Sequence, residues 1–476
     1  TFEYVDNDAL SRGDQRPDAQ GYIDDGVQGI GADTPFDDEP FAQTWGRPKT
    51  EAIRIFINTG FDISDTSRIY AFGNYAETEG TYRFFYRNQG HSSLASLVDD
   101  HGYDGDLLNT GYTPHLDGEQ KDYSLTAGIK GEIGTASTYD FSIGTGKNEL
   151  DYFLNNSTNH SLGLNSNGDP AQMAFDVGGY EQEELTVNLD FTTELSDNLF
   201  LGVGGEYREE TYTIGAGEEA SWIGAGSNGL NGFRPADSGD FDRDNYAVYG
   251  DLEWDVTEAV MLQGALRYED YSDFGNTTIG KLAGRWSISD NFTLRAAAST
   301  GFHAPTPGQA NIRTTITTFD GATGLQIEEG LVPPTSPIAV ANGGTDLTEE
   351  KSVSYSVGFT SNFGENTSLT VDAYQTEVED RIYRTGDIPV LGLESSSISF
   401  YTNALDVEHK GLDIVLSTGW NWGESSANTD LSFAFNHNET EVTDQKLVNS
   451  PVLGPVTPVS DSNVEDIENN YPEDRF

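Results

Sequence analysis

Apolar and polar side chains alternate with a period of two along most of this chain. In Asp122–Lys130, Tyr123, Leu125, Ala127 and Ile129 share one face, and Ser124, Thr126, Gly128 and Lys130 share the other. Glu184–Phe191 sets Leu185, Val187, Leu189 and Phe191 against Glu184, Thr186, Asn188 and Asp190. Met261–Glu269 sets Leu262, Gly264, Leu266 and Tyr268 against Gln263, Ala265, Arg267 and Glu269. The rhythm returns in Ile53, Ile55 and Ile57, in Tyr246, Val248, Gly250, Leu252 and Trp254, and in Leu431, Phe433 and Phe435. Strand side chains point to opposite faces in turn, so the pattern predicts strands with one apolar and one polar face. They fall near 51–61, 68–78, 122–131, 138–148, 183–193, 198–213, 242–254, 259–269, 276–287, 291–301, 351–361, 367–378, 399–418 and 427–440. No helix-period segment stands out.

The links between these strands alternate in length. Short turns occur at 62–67, 133–137, 194–197, 255–258, 289–291, 362–366 and 421–425. Between them lie long stretches at 84–121, 147–182, 214–241, 302–350 and 378–398; the link near 272–276 is short where a long one is expected. A soluble sandwich has no reason to sort its loops by parity. An outer-membrane barrel does, with short periplasmic turns and long extracellular loops. Mid-strand charges (Arg267 with Glu269, Lys281 with Arg285, Glu206 with Arg208) suit a wet lumen, although the solvent face of a sandwich accepts them too. Trp254, Tyr268, Tyr207 and Trp286 near the ends of apolar faces suit the girdle at the lipid–headgroup boundary. The fold class expected is all-β: a transmembrane antiparallel up-and-down β-barrel of about fourteen or fifteen strands.

Composition changes this picture only in part. Of 476 residues, 36% are hydrophobic, and the mean hydropathy is −0.51, which alone reads as soluble. A barrel strand shows lipid only every second side chain, so its apolar signal is diluted. No run approaches the ~18 apolar residues that a membrane-crossing helix needs. Cysteine is absent, which excludes a disulfide framework, a thiol nucleophile and a Cys-ligated zinc site. The net charge of −54 repels phosphate, so nucleic acid is not an expected partner. Its simpler reading is a solvated acidic surface; the sharper one is loops that gather cations.

Several segments resemble the barrel of TonB-dependent outer-membrane receptors. The clearest are 265–275 (ALRYEDYSDFG), 281–286 (KLAGRW), 294–308 (LRAAASTGFHAPTPG), 347–358 (LTEEKSVSYSVG), 370–382 (TVDAYQTEVEDRI) and 401–415 (YTNALDVEHKGLDIV), with 201–216 and 232–244 fitting earlier in the chain. They occur in the family's order along nearly the whole chain. One departure is His303, where the family usually has Arg. The resemblance implies a barrel of about 22 strands closed by a globular plug. The plug and the segment that contacts TonB would precede Thr1, so the chain reads as an incomplete barrel truncated at both ends. Residues 1–50 are expected to form a strand end and a long extracellular loop, and 51–476 the partial barrel domain. The family implies uptake of a large scarce solute, most commonly a ferric siderophore, energised through a TonB–ExbB–ExbD complex, with outer-membrane lipid and lipopolysaccharide around the wall. A passive porin-like barrel and a soluble all-β binding module are the alternatives.

Candidate chemistry is sparse, and no cofactor or enzymatic role is expected. The seven histidines show no helix-ligand spacing, and no nucleophile elbow or phosphate-binding loop appears. Asp240, Asp242 and Asp244 suggest a calcium loop, but Asn245 stands where that loop needs Gly and Asp251 where it needs Glu. No metal site is therefore assigned. Two sets of residues remain. Loop aromatics Phe84, Phe85, Tyr86, Tyr103, Trp222 and Phe233, with Tyr112, Tyr152, Phe153 and Phe319, either stack on a solute or pack the loops on one another. Gly301, Phe302, His303, Ala304 and Pro305 lie where a strand meets a long loop. They either shape the mouth or, through glycine and proline chemistry, simply end the strand.

Overall fold

The structure is a computed structural model that describes residues 1–24, 42, 46–319, 326–389, 397–423 and 427–476, with the side chains of 23, 315–319 and 326–329 outside that description. Sixteen strands form one antiparallel sheet in which each strand pairs with its neighbour in sequence. They are β1 (Phe2–Asn7), β2 (Lys49–Ser64), β3 (Ser67–Arg83), β4 (His115–Ile133), β5 (Ser137–Asn155), β6 (Phe175–Ser196), β7 (Leu199–Ala216) and β8 (Gly239–Thr257). The second half comprises β9 (Val260–Tyr271), β10 (Gly275–Ser289), β11 (Phe292–His303), β12 (Glu350–Phe363), β13 (Thr367–Arg384), β14 (Tyr401–Asn421), β15 (Asn428–Gln445) and β16 (Asp474–Arg475). Among the described residues β1 and β16 do not pair with each other, so the sheet is an open wall.

The two faces meet different solvents. Cross-strand register aligns Trp254, Leu262, Gly284, Ala296 and Val357 in one row and Leu252, Gly264, Leu282, Ala298 and Tyr355 in the next, all on the outer face. Leu189, Leu262, Leu266 and Leu282 are exposed there, with Leu282 71% accessible, and Val187 is half-exposed. A continuous exposed apolar face of this kind fits contact with hydrocarbon. Tyr207 packs on Tyr246 with ring centroids 4.9 Å apart. Eight residues separate Tyr246 from Trp254 along β8, about 20–27 Å allowing for strand tilt, close to the apolar band of about 25 Å in such barrels.

The strand ends near the short turns lie within three residues of the expected ones. Those at the long links run further, by up to eight residues in β6, except that β14 starts at Tyr401 rather than 399. Above the girdle both faces of a strand are polar, as in Glu181, Gln182 and Glu183, so alternation no longer marks the strand. The long links fold as well. Thr314–Phe319 and Gln326–Leu331 join Ile388–Pro389 and Ser397–Ser399 in a second, four-stranded sheet. Contrary to the expectation of no helix, Ser92–His101 is a helix. It has buried Leu94 and Leu97, His91 at its N-cap and Gly102 in the left-handed conformation (φ 71°) at its end. Leu94, Leu97 and Gly102 were a readable signal of it.

Depth sets the cost of charge on the outer face. Leu282→Arg, mid-strand, should destabilise the folded barrel in lipid by about 2–4 kcal/mol, and Ile288→Arg, beside the short turn, by about 0–1 kcal/mol. Denaturant titration of the full-length protein in bilayers measures both; equal costs would contradict the assignment of this face to lipid.

Candidate functional site

The dry core of this protein lies above the membrane, in its loops. Leu94, Leu97, Tyr103, Leu108 and Tyr112 form one buried cluster, and Leu154, Phe175 and Val177 another. A third lines the inner face at the mouth, where Tyr212, Ile214 and Phe233 are buried with Tyr180 and Phe241 against them. Tyr180 is the hub: its ring lies 4.8 Å from Phe233, 6.0 Å from Tyr212 and 6.3 Å from Tyr152, centroid to centroid. β5, β6 and β7 carry the three tyrosines because their inner-facing positions continue upward beyond the hydrocarbon.

A strap covers this aromatic wall. After β11 the chain enters a helix at Pro307–Asn311, started by a capping box between Thr306 and Gln309 with Pro307 in the first turn. The helix lies along β7, where a Cβ added at Gly308 would stand 3.6 Å from the Tyr212 ring. Three contacts hold the strap across β10, β9 and β8. Arg243 donates to the Pro305 carbonyl, Arg313 pairs with Asp237 at 2.7 Å, and the hydroxyls of Tyr180 and Thr314 lie 2.8 Å apart. Arg243 is itself buried, bonded through Nε to Glu210 at 2.9 Å and stacked over the Tyr271 ring at 5.1 Å. Below it the inner wall continues as paired charge: Arg208 to Glu206 at 3.1 Å, and Arg267 to Glu206 at 3.5 Å and to Glu269 at 2.5 Å.

The sequence candidates separate on this geometry. Tyr86, Tyr103 and Phe233 are buried in loop-packing clusters, as are Tyr112 and, less completely, Phe84 and Tyr152. Trp222 is half-buried, its indole N–H donating to the Gly217 carbonyl at 3.2 Å, and Phe85 is exposed. Only Phe233 of the six assigned aromatics joins the wall at the mouth. The side chain of Phe319 lies outside the described residues. At the strand–loop junction, a Cβ on Gly301 would meet Ser352 Oγ at 2.7 Å, which fits a close strand approach. Phe302 packs edge-on to Tyr271, exposed His303 stands 3.7 Å from Glu350, Ala304 is half-buried, and Pro305 is buried under Arg243. Tyr180, Tyr212, Tyr271 and Arg243 were not singled out in the sequence.

Among the described residues no group of three or more His, Asp or Glu side chains could hold a metal ion, and no helix is long and apolar enough to cross a membrane, which says nothing of strands. A wall with a lipid face, a charged wet face and a loop-packed mouth is that of a transmembrane β-barrel. Residues 56–460 match the model of the TonB dependent receptor-like β-barrel family, and the chain belongs to that family. A curated relative, the ferric enterobactin receptor PirA of Pseudomonas aeruginosa, is 24% identical over 226 residues, covering 47% of this chain and 28% of the relative. The solved PirA structure from that organism superposes with a TM-score of 0.52 at 14% identity, over 84% of this chain and 64% of that one. The RagAB peptide transporter (TM-score 0.55, 14% identity, 84% and 47%) and the copper transporter OprC (0.54, 13%, 84% and 55%) share the fold. The chain thus spans less than two thirds of each of these proteins.

Two outcomes follow from the loop layer. Breaking the buried pair by Arg243→Ala should cost about 3–5 kcal/mol locally and speed amide exchange in 304–314, and Arg243→Lys should not restore protection because it lacks the planar fork. Unchanged exchange in that segment would separate Arg243 from the strap. The second outcome concerns His91. Burial and the nearby Arg87 guanidinium hold its imidazole down at about 4. An unfolded loop binds that proton near pH 6.5, so the packed 92–112 segment is at full stability above about pH 6.5 and loses it as pH falls towards 4. Amide exchange should accelerate over that window, and His91→Asn, which keeps an N-cap, should flatten the profile.

Proposed function

We propose that this chain is the wall of an outer-membrane transporter of a Gram-negative bacterium that takes up a large scarce solute, a ferric siderophore. The full protein would draw energy through a TonB–ExbB–ExbD complex engaged by a region outside this chain, with lipopolysaccharide and lipid around its girdle. The observation that carries the reading is the inner wall: paired charges continuing upward into an aromatic mouth under a strap. Rings at a mouth suit capture of a bulky ligand, since each aromatic face buries much area at little entropic cost. Chemistry on the solute is not required, because transport needs differential binding and a source of work rather than a catalytic group. The similarity to the siderophore receptor PirA supports the same solute class.

The test is uptake of iron-loaded siderophores by cells expressing the full-length gene, with and without an intact TonB system, after growth in low iron. Uptake should fall at least about tenfold without TonB. Uptake that persists without TonB would instead assign a passive porin.

A further inference from the structure

We infer that Lys281 and Arg285, on the inner face of β10, form a station for a negatively charged solute in the lumen, an anionic ferric complex whose charge sits on oxygen atoms. This rests on the siderophore reading above and deepens it. Leu282, Gly284 and Trp286 face outward, so alternation turns Lys281, Ala283 and Arg285 inward. The same register sets Ser299, Ala297 and Arg295 of β11 beside them, followed by Ser354, Ser356 and Gly358 of β12.

Charge on this stretch runs against the rest of the chain. Of 476 residues 79 are acidic and 25 basic, yet β10 and β11 hold three cations and no Asp or Glu. Two of the cations, Arg285 and Arg295, stand directly opposite each other, an arrangement that costs free energy unless negative charge offsets it. Arg295 has its counter-charge. Asp372 of β13 reaches across Gly358 to it, with Oδ1 2.8 Å from Nε, and the guanidinium also donates to Thr360 Oγ1 at 3.0 Å. Gly358 permits the crossing, since a Cβ there would collide with the Asp372 carboxylate. No such arrangement serves Lys281 or Arg285. Among the described residues neither has a carboxylate within ion-pair distance, and both are exposed. On β7–β9, by contrast, Arg208, Arg243 and Arg267 are each held by a glutamate. Nearer the mouth, Arg381 of β13 is a further cation without a carboxylate partner among the described residues.

The floor between the two free cations is small. Ala283 separates them along β10, with Ala297 and Ser356 beside it across the sheet, so a bulky anion meets no large side chain there. Their Cα atoms are about 13 Å apart along the strand, a span that two long side chains can close from either end. The guanidinium offers oxygen a planar fork, and the ammonium offers a point charge. The net charge of −54 repels an anion at long range, and an exposed cationic patch inside the wall offsets that repulsion locally.

The experiment uses cells expressing the full-length gene and the purified full-length protein. Lys281→Gln and Arg285→Gln, singly and together, are compared with the unaltered protein. The probe is a ferric triscatecholate, a trianion, and a neutral ferric trihydroxamate is the control. The double variant should lower the maximal uptake rate of the trianion at least about tenfold and leave its half-saturating concentration, set at the mouth, nearly unchanged. The solute-free protein should melt no lower, because the substitutions remove charges that repel and break no ion pair. A lower melting temperature would mean that a carboxylate of the same protein already holds the two cations, which overturns the inference. An unchanged uptake rate, an equal fall for the neutral complex, or uptake of the neutral complex alone also overturns it; each of these leaves the siderophore reading intact. Uptake of neither complex by the unaltered protein overturns both.

Discussion

A peptide group in hydrocarbon has no water to bond, so every N–H and C=O of a membrane-embedded strand must find its partner on a neighbouring strand. That constraint explains most of this molecule. It favours a single continuous sheet whose strands pair in sequence order, because hairpins close each ladder with the least chain. It explains the tight turns at one end. It also makes the two faces independent: once the ladder satisfies the backbone, side chains on one face answer only to lipid and those on the other only to the lumen. Leu282 and Ala283, adjacent in sequence on β10, thus point to opposite faces of the wall.

The same constraint displaces the dry core. Between the girdles, apolar side chains gain from lipid rather than from one another, so nothing there draws them together. Buried clusters form only where water returns, in the layer above the membrane. There the loops have folded into helices, a small sheet and the strap, and Arg87 ties two of them together, donating to Asn228 Oδ1 at 2.6 Å and to the Phe85 carbonyl at 2.8 Å. The loop layer behaves as a soluble domain built from connections.

Legibility from sequence followed the solvents. Where lipid faced one side and water the other, alternation located β2 to β15, whereas the two-residue β16 carried no such signal. Where water faced both sides, as around Glu181–Glu183, the strands continued without a signal. Tyr180 and Tyr212 lie in those continuations, so they did not stand out as site residues, while the loop aromatics that did stand out are mostly the rings that hold loops together. Tyr86 illustrates this: its hydroxyl donates to the Thr110 carbonyl, and burial raises its pKa. The GFHAPTPG segment was readable as an end of strand pairing. That its Pro305 carbonyl is gripped by a buried arginine some sixty residues earlier in the chain was not, since no local pattern reports a contact at that separation.

The link between β9 and β10 is the exception to the parity of loop lengths: three residues, 272–274, pinned by reciprocal bonds between Ser272 and Asp244. It leaves a low gap in the rim, and through that gap the chain following β11 leans inward to reach β8, β7 and β6. The height of one hairpin thus sets the aperture of the entrance. An insertion of a few residues at this tip, touching no ring and no charge, would raise a fence in the strap's path and reshape the opening as thoroughly as a change in the wall itself.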